Sequence, residues 1–265
     1  MPNNRFNTNS LCFDPDLHTQ AALAIQLTVQ VGAQERELHQ HRKGQLVMAL
    51  HGAVLCELEH AIYLVAPGHA VWIPGGQIHR NRITDNARIC FLFIEPGVAC
   101  MPDHSCTLAI SPVVRELSLH LANQDPDYSE HSLSARLVQV LLELLDKSPV
   151  EQMHLPISDD ARLSVIVATW ASQHGDRRTI EQWAQQLGMS ARSLARLVVQ
   201  ETGLSFGRWR QQWQLMLAMH LLASGMAVQQ VALELGYESV TAFITMFKKS
   251  LGQSPGRYMS ALQRA

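Results

Sequence analysis

His39 and His41 stand one residue apart in ELHQHRKGQ, residues 37–45. On a strand, side chains two apart share a face, so the two imidazoles can meet one metal ion or one polar ligand. A metal pair of this kind suggests an enzyme. A different chemistry is written near the other end of the chain. In SARSLARLVVQ, residues 190–200, Arg192, Ser193, Ala195 and Arg196 point away from the helical pair Leu194 and Val198. An outward arginine can take guanine O6 and N7 together, which discriminates by roughly 1–3 kcal/mol. The alternative for each arginine is a backbone phosphate.

These side chains need elements to hold them. The chain has 265 residues, enough for one large domain or two ordinary ones, and 47% of them are hydrophobic, which marks a globular chain. Nothing in it is long and apolar enough to span a bilayer, so no membrane partner is expected. MPNNRFNTNS at the start has no apolar core, so no signal peptide is expected. Five cysteines (Cys12, Cys56, Cys90, Cys100, Cys106) lack C-x-x-C spacing, which reads as free thiols in a cytoplasmic protein. Residues 1–157 hold 10 Lys and Arg against 16 Asp and Glu, giving −6, while residues 158–265 hold 11 against 7, giving +4. An acidic first half joined to a basic second half suggests division of labour.

Residues 22–95 show short apolar runs broken by Gly and Pro turns: ALAIQLTVQV, QLVMALHG, AVLCELEHAIYLV, AVWIP and ARICFLFI. They read as strands of an antiparallel barrel or sandwich. After about residue 110 the period becomes helical. SPVVRELSLHLANQ sets Val113, Leu117 and Leu121 on one face. SLSARLVQVLLELLDK sets out Leu133, Leu137, Val140, Leu141, Leu144 and Leu145. Core packing or a homodimer through 133–145 would each cover so wide a stripe. KSPVEQMHLPIS, residues 147–158, reads as a linker. The expected domains are therefore 1–150, for sensing and dimerisation, and 151–265, all helical.

Within the second domain a motif repeats. Ile180, Ala184, Leu187 and Gly188 recur 48 residues later as Val228, Ala232, Leu235 and Gly236. Beyond the turn the offset is 49, matching Ser190 to Ser239, Leu194 to Phe243 and Val198 to Phe247. Each unit, about 179–200 and about 227–249, reads as helix, glycine turn and second helix. Thr179 and Gln182 suit a capping box, Ser190 and Ser239 suit N-caps, and the glycines suit positive φ. Residues 205–225 between the units read as a rod capped by Ser205 and ended by Gly225, burying Phe206, Trp209, Trp213, Met216 and Leu217. About twenty residues give roughly 30 Å, against a groove repeat of about 34 Å. The pattern suggests two helix-turn-helix units reading successive major grooves of promoter DNA. On the second reading helix the outward residues are Val240, Thr241, Ile244 and Thr245. Arg208, Arg210, Lys248, Lys249 and Arg257 are candidate phosphate contacts.

AQQLGMSARSLARLVVQETGLSFGRW and VALELGYESVTAFITMFKKSLGQSPGRY resemble the DNA-binding domain of the AraC/XylS family, over about 158–262. The signature is carried by Gly236, Tyr237, Ser239, Phe243, Phe247, Lys248, Gly252, Ser254, Pro255 and Tyr258. The chain departs from the family at Thr245, where an arginine is common. The first half resembles a cupin barrel: ELHQHRKGQ is similar to its first motif, and Gly68, Pro74, Gly76 and His79 match its second. The resemblance implies an α+β chain, a cupin-like antiparallel β-barrel with C-terminal helices ahead of an all-α domain of two helix-turn-helix units. It implies an effector pocket walled by His39, His41, Gln45, Trp72 and His79. It places three possible metal ligands, His39, His41 and His79, with Gln45 where metal cupins have glutamate. Three imidazoles can still bind Fe, Mn, Ni or Zn. No cofactor is expected. Two functions stand: an effector-responsive transcriptional regulator, activator or repressor, with contact to RNA polymerase in view; or a dioxygenase-like metalloenzyme with appended DNA binding. Gln45 counts against the second.

Overall fold

The computed structural model describes residues 13–29, 37–52, 54–65, 68–83, 87–151 and 154–264. Cys12, the first ten residues and the end of the first expected strand lie outside the described residues. The chain forms two compact units, one of residues 1–58 and 63–153, the other of residues 154–264 with 59–62.

The first unit carries β1 (Ala22–Thr28), β2 (Gly44–His51), β3 (Val54–Leu58), β4 (Ala61–Val65), β5 (His69–Ile73), β6 (His79–Ile83), β7 (Arg88–Ile94) and β8 (Cys106–Ala109), then α1 (Pro112–Ala122), α2 (Leu133–Asp146) and β9 (Val150–Glu151). One sheet orders β1-β7-β2-β5-β8-β9, and β4-β3-β6 lie side by side in another. The described ladders are antiparallel. The described strands thus make two antiparallel sheets, as the expectation of a barrel or sandwich allows, and no described ladder closes them into the cupin-like barrel that the resemblance implied.

Alternation assigns the two faces of the larger sheet. Leu46, Met48, Leu50, Trp72, Leu92 and Ile94 join one buried cluster with Val114, Leu121, Val138, Leu141, Leu142 and Leu145 of the two helices. Gln45, paired with Ile73 and Phe93, therefore turns to the opposite face. On α1 the inward positions are Val114, Ser118 and Leu121, and Val113 is 56% exposed. The expectation for Val113 was one position out of phase. Ser118 takes its inward place because its hydroxyl donates to Val114 O at 2.9 Å.

Three further expectations change. AVLCELEHAIYLV is two strands, turning at Glu59 and His60, where neither Gly nor Pro marks the break. HRNRI forms β6 despite its polarity, because His79 and Asn81 face inward. The expected linker holds β9, which pairs with β8, and β10 (His154–Pro156).

The second unit continues with α3 (Ala161–Ser172), α4 (Ile180–Gln186), α5 (Ala191–Thr202), α6 (Phe206–Ala223), α7 (Val228–Glu234), α8 (Val240–Leu251) and α9 (Pro255–Arg264). Both α4–α5 and α7–α8 are helix-turn-helix units. Thr179 and Gln182 make the capping box reciprocally, and Ser190 and Ser239 accept from Ser193 N and Ala242 N. Gly188 and Gly236 have φ of +65° and +70°. At Gly236 an added Cβ would also lie 2.9 Å from Gly175 O, so conformation and close approach both require glycine. The rod between the units buries Gln214, Ala218, Met219 and Leu222 besides Phe206, Trp209 and Met216, leaving Trp213 and Leu217 half-buried. Its buried side is wider than one stripe because helices pack on it from several directions.

Candidate functional site

His39 and His79 meet through an isolated antiparallel bridge, with His39 N donating to His79 O at 3.0 Å and His79 N to His39 O at 2.9 Å. His41 joins them from the same loop, held by Gly76 N donating to His41 O at 2.8 Å. One nitrogen from each ring lies within 4.8 Å of the others. His41 and His79 are buried and His39 is half-buried. Asp16 anchors the loop by accepting from Arg42 N at 2.6 Å and Lys43 N at 3.1 Å. Lys43, wholly buried, donates to Gln20 O at 2.8 Å and Glu95 Oε2 at 2.6 Å, and Arg42 pairs with the same Glu95. Burial and the Arg42 charge hold Lys43 below its ordinary pKa.

Hydrogen bonding fixes the rings. His39 Nδ1 lies 2.9 Å from Glu37 O, His41 Nδ1 2.6 Å from Lys43 O and His79 Nδ1 2.8 Å from Gln77 O. A carbonyl only accepts, so each Nδ1 carries the proton and each neutral ring presents its Nε2 lone pair. This carbonyl-to-imidazole support is the arrangement that orients metal-binding histidines. Gln45 Oε1 lies 2.9 Å from both His41 Nε2 and His79 Nε2. An amide oxygen facing two lone pairs is repelled. A cation between them, or a half-turn of the amide that presents its NH₂, removes the repulsion. With one nitrogen from each of three rings within 4.8 Å and each ring oriented by a backbone carbonyl, the residues present fit a divalent ion.

Sequence reasoning missed two neighbours. Phe93 stands edge-on to His41, ring centroids 5.3 Å apart. Asn81 is on the inward side of β6 with His79, and its Oδ1 is buried without a hydrogen-bond partner among the described residues. Phe93 comes from a strand distant in sequence, so spacing gave no signal for it, whereas Asn81 stands two residues after His79 on β6 and the strand repeat could have found it. Trp72 is the correction. It packs on the helix side of the sheet, its indole closing over Gly44, where an added Cβ would come within 2.0 Å of the ring, and Nε1 donates to Pro102 O at 2.8 Å. It is on the opposite face from Gln45 and does not wall the histidine site.

In the second unit Leu194, Val198, Phe243 and Phe247 are fully buried and fix the roll of α5 and α8. On α5, Arg192 and Arg196 are exposed, and Ser193 and Ala195 are half-buried, with Ser193 Oγ 2.9 Å from the capping Ser190 Oγ. On α8, Thr241 and Thr245 are exposed and Val240 and Ile244 half-buried; Thr245 Oγ1 donates to Thr241 O at 2.8 Å. Arg208, Lys248, Lys249 and Arg257 are exposed. Arg210 differs: it is half-buried, and its Nη1 donates to Arg178 O at 3.0 Å.

Comparison with known proteins matches residues 183–261 to a helix-turn-helix domain model and residues 30–99 to an AraC-like ligand binding domain model. The chain is 49% identical over 258 residues to the HTH-type transcriptional regulator NimR of Escherichia coli (strain K12), covering 97% of this chain and 94% of that protein. It is 31% identical over 239 residues to the HTH-type transcriptional activator RhaS of Klebsiella pneumoniae (strain 342), covering 82% and 85%. Among solved structures, ToxT from Vibrio cholerae O395 aligns at TM-score 0.40 and 13% identity, over 92% of this chain and 99% of that one.

Proposed function

This chain belongs to the AraC family of transcriptional regulators, with a ligand-binding domain ahead of a helix-turn-helix DNA-binding domain, and from that premise we propose which residues read DNA and which sense the effector. Arg192 and Arg196 read base edges from α5, with Ser193 and Ala195 beside them. Val240, Thr241, Ile244 and Thr245 face the second groove from α8. That helix discriminates less, because Val240 and Ile244 are half-buried and the Thr245 hydroxyl is engaged by its own helix. Arg208, Lys248, Lys249 and Arg257 meet phosphates. The observation that carries the reading is the burial of Leu194, Val198, Phe243 and Phe247, which turns the opposite faces of both second helices outward.

The three histidines with Gln45, Asn81 and Phe93 are the sensing site. A divalent ion held by His39, His41 and His79 would supply a positive centre for an effector with a lone pair or negative charge. Asn81 offers that effector a hydrogen bond. We read a sensing role here and not a catalytic one, supported by Gln45 in place of a carboxylate and by relatives that are named as regulators. Two copies associate through α2, where Leu133 and Val140 are 59% and 48% exposed.

The test is selection of duplexes by the purified chain, followed by Arg196→Ala. The substitution weakens the selected duplex by about 1–3 kcal/mol and leaves mixed-sequence duplex nearly unchanged. Equal loss on both would make Arg196 a phosphate contact.

A further inference from the structure

Two cavities open at the start of α6. The larger, about 750 Å³, runs beneath Tyr237 to Thr241 and Lys249 beside α8. The smaller, about 420 Å³, reaches Ala195 of α5, Ser205 and Glu181. Arg177, Gly207 and Arg210 line both, so they form the ridge between the two reading helices. The Arg177 guanidinium lies 4.3 Å from the centre of the Tyr237 ring and has no carboxylate partner among the described residues. Arg210 lies 5.7 Å from the Phe206 ring centre and is tethered to Arg178 O. Asp176, which also acts on Arg210, is bound by Arg178 through the backbone N–H at 2.8 Å and through the side chain. Burial, then the Arg177 charge, lowers the pKa of Arg210. Two guanidiniums thus lie close enough to repel, and Asp176, itself paired with Arg178, offsets that repulsion only in part. A Cβ added at Gly207 would meet nothing within 4 Å, so no packing inside the chain calls for a glycine there.

On one face of a duplex, successive major grooves are separated by a minor groove and its two backbones. A ridge midway between two groove-reading helices meets that backbone. We propose that Arg177 and Arg210 clamp a backbone phosphate of the bound duplex between the two grooves, with the bare backbone of Gly207 letting it come close. The proposal rests on the DNA-reading assignment above. A phosphate suits the site because guanidinium forks match its oxygens, and its charge answers the repulsion between the arginines.

The experiment measures Kd of the full chain, over a salt series, for a mixed-sequence duplex and for one selected by the wild-type protein. Arg177→Ala is expected to weaken both by the same factor, on the order of 10-fold. It lowers the slope of log K against log salt by about 0.9, one phosphate's worth. Gly207→Ala, which open space should tolerate, weakens both duplexes without lowering the thermal midpoint. Unchanged affinity and slope in Arg177→Ala overturn the clamp. So does a loss confined to duplexes with an A·T-rich centre, which would put the arginines in the minor groove as readers. A wild-type protein that binds mixed sequence but prefers no selected duplex sinks the base-reading assignment alone, and the slope on mixed sequence still decides the clamp. No binding by wild type overturns both.

Discussion

Gln45 faces two imidazole nitrogens where glutamate would add a negative charge to a metal site. Gln45→Glu should tighten divalent metal binding by more than the roughly 10- to 100-fold that supporting residues contribute. The same change leaves the metal-free protein less stable, since a carboxylate is then buried facing two lone pairs. Metal titration followed by thermal melting reads both effects, and His79→Ala should abolish binding. A Gln45→Glu protein that binds metal no better than wild type would place residue 45 outside the ion's reach, and undiminished binding in His79→Ala would mean the three rings do not act as ligands together. At this scale the sequence was half legible. His39 and His41 announce themselves because a spacing of two is a strand's own repeat. Asn81 was within reach, two residues after His79, but only once HRNRI is known to be a strand. Phe93 was not, since register between distant strands brings it in, and register is invisible in a single strand's pattern. Trp72 misled for the same reason: the chain shows an aromatic near the second motif, but only pairing with Leu46 shows which face it takes.

The rod α6 carries a half-buried histidine whose protonation opposes folding. His220 Nδ1 is buried without a hydrogen-bond partner among the described residues, and burial, then the neighbouring His174, lowers its pKa. His174 itself lies 2.9 Å from Glu234 on α7. In the unfolded chain His220 returns to the ordinary value of 6.5. Below that pH the unfolded state binds a proton that the folded state refuses, so stability falls as pH drops from 6.5 towards the lowered folded value and is level above it. His154, also lowered by burial, adds to the same fall. Thermal midpoints between pH 5 and 8 should show this, and His220→Leu should flatten part of it; an identical profile in that variant would remove His220 from the account. Elements with strong local signals were legible: paired caps, positive-φ glycines and apolar steps of three and four marked both helix-turn-helix units. The β3–β4 turn and β6 were not, because Glu59-His60 has no turn residue and β6 turns polar side chains inward. Polar residues at core positions are where a site overrides the pattern.

Across the whole chain, two compact units divide sensing from reading, and only a difference in free energy between states can connect them. Association comes first. Leu133→Asp with Val140→Asp changes exposed positions of α2, so the fold should survive while sedimentation shows a monomer; a persistent dimer would place the interface elsewhere. Coupling is the stricter test, because linkage is reciprocal. If metal at the three histidines changes the affinity for a selected duplex by some factor, that duplex must change metal affinity by the same factor, typically 5- to 150-fold in coupled systems. The measurement is two titrations on the full chain, nickel or zinc with and without duplex, and duplex with and without the ion. Residues 158–265 alone should bind the duplex with no response to metal at all. Equal affinities in both titrations would leave the ion structural and return the sensing role to an organic ligand at Asn81, whereas a response from the isolated second unit would mean the ion acts on DNA binding directly and the division of labour is wrong.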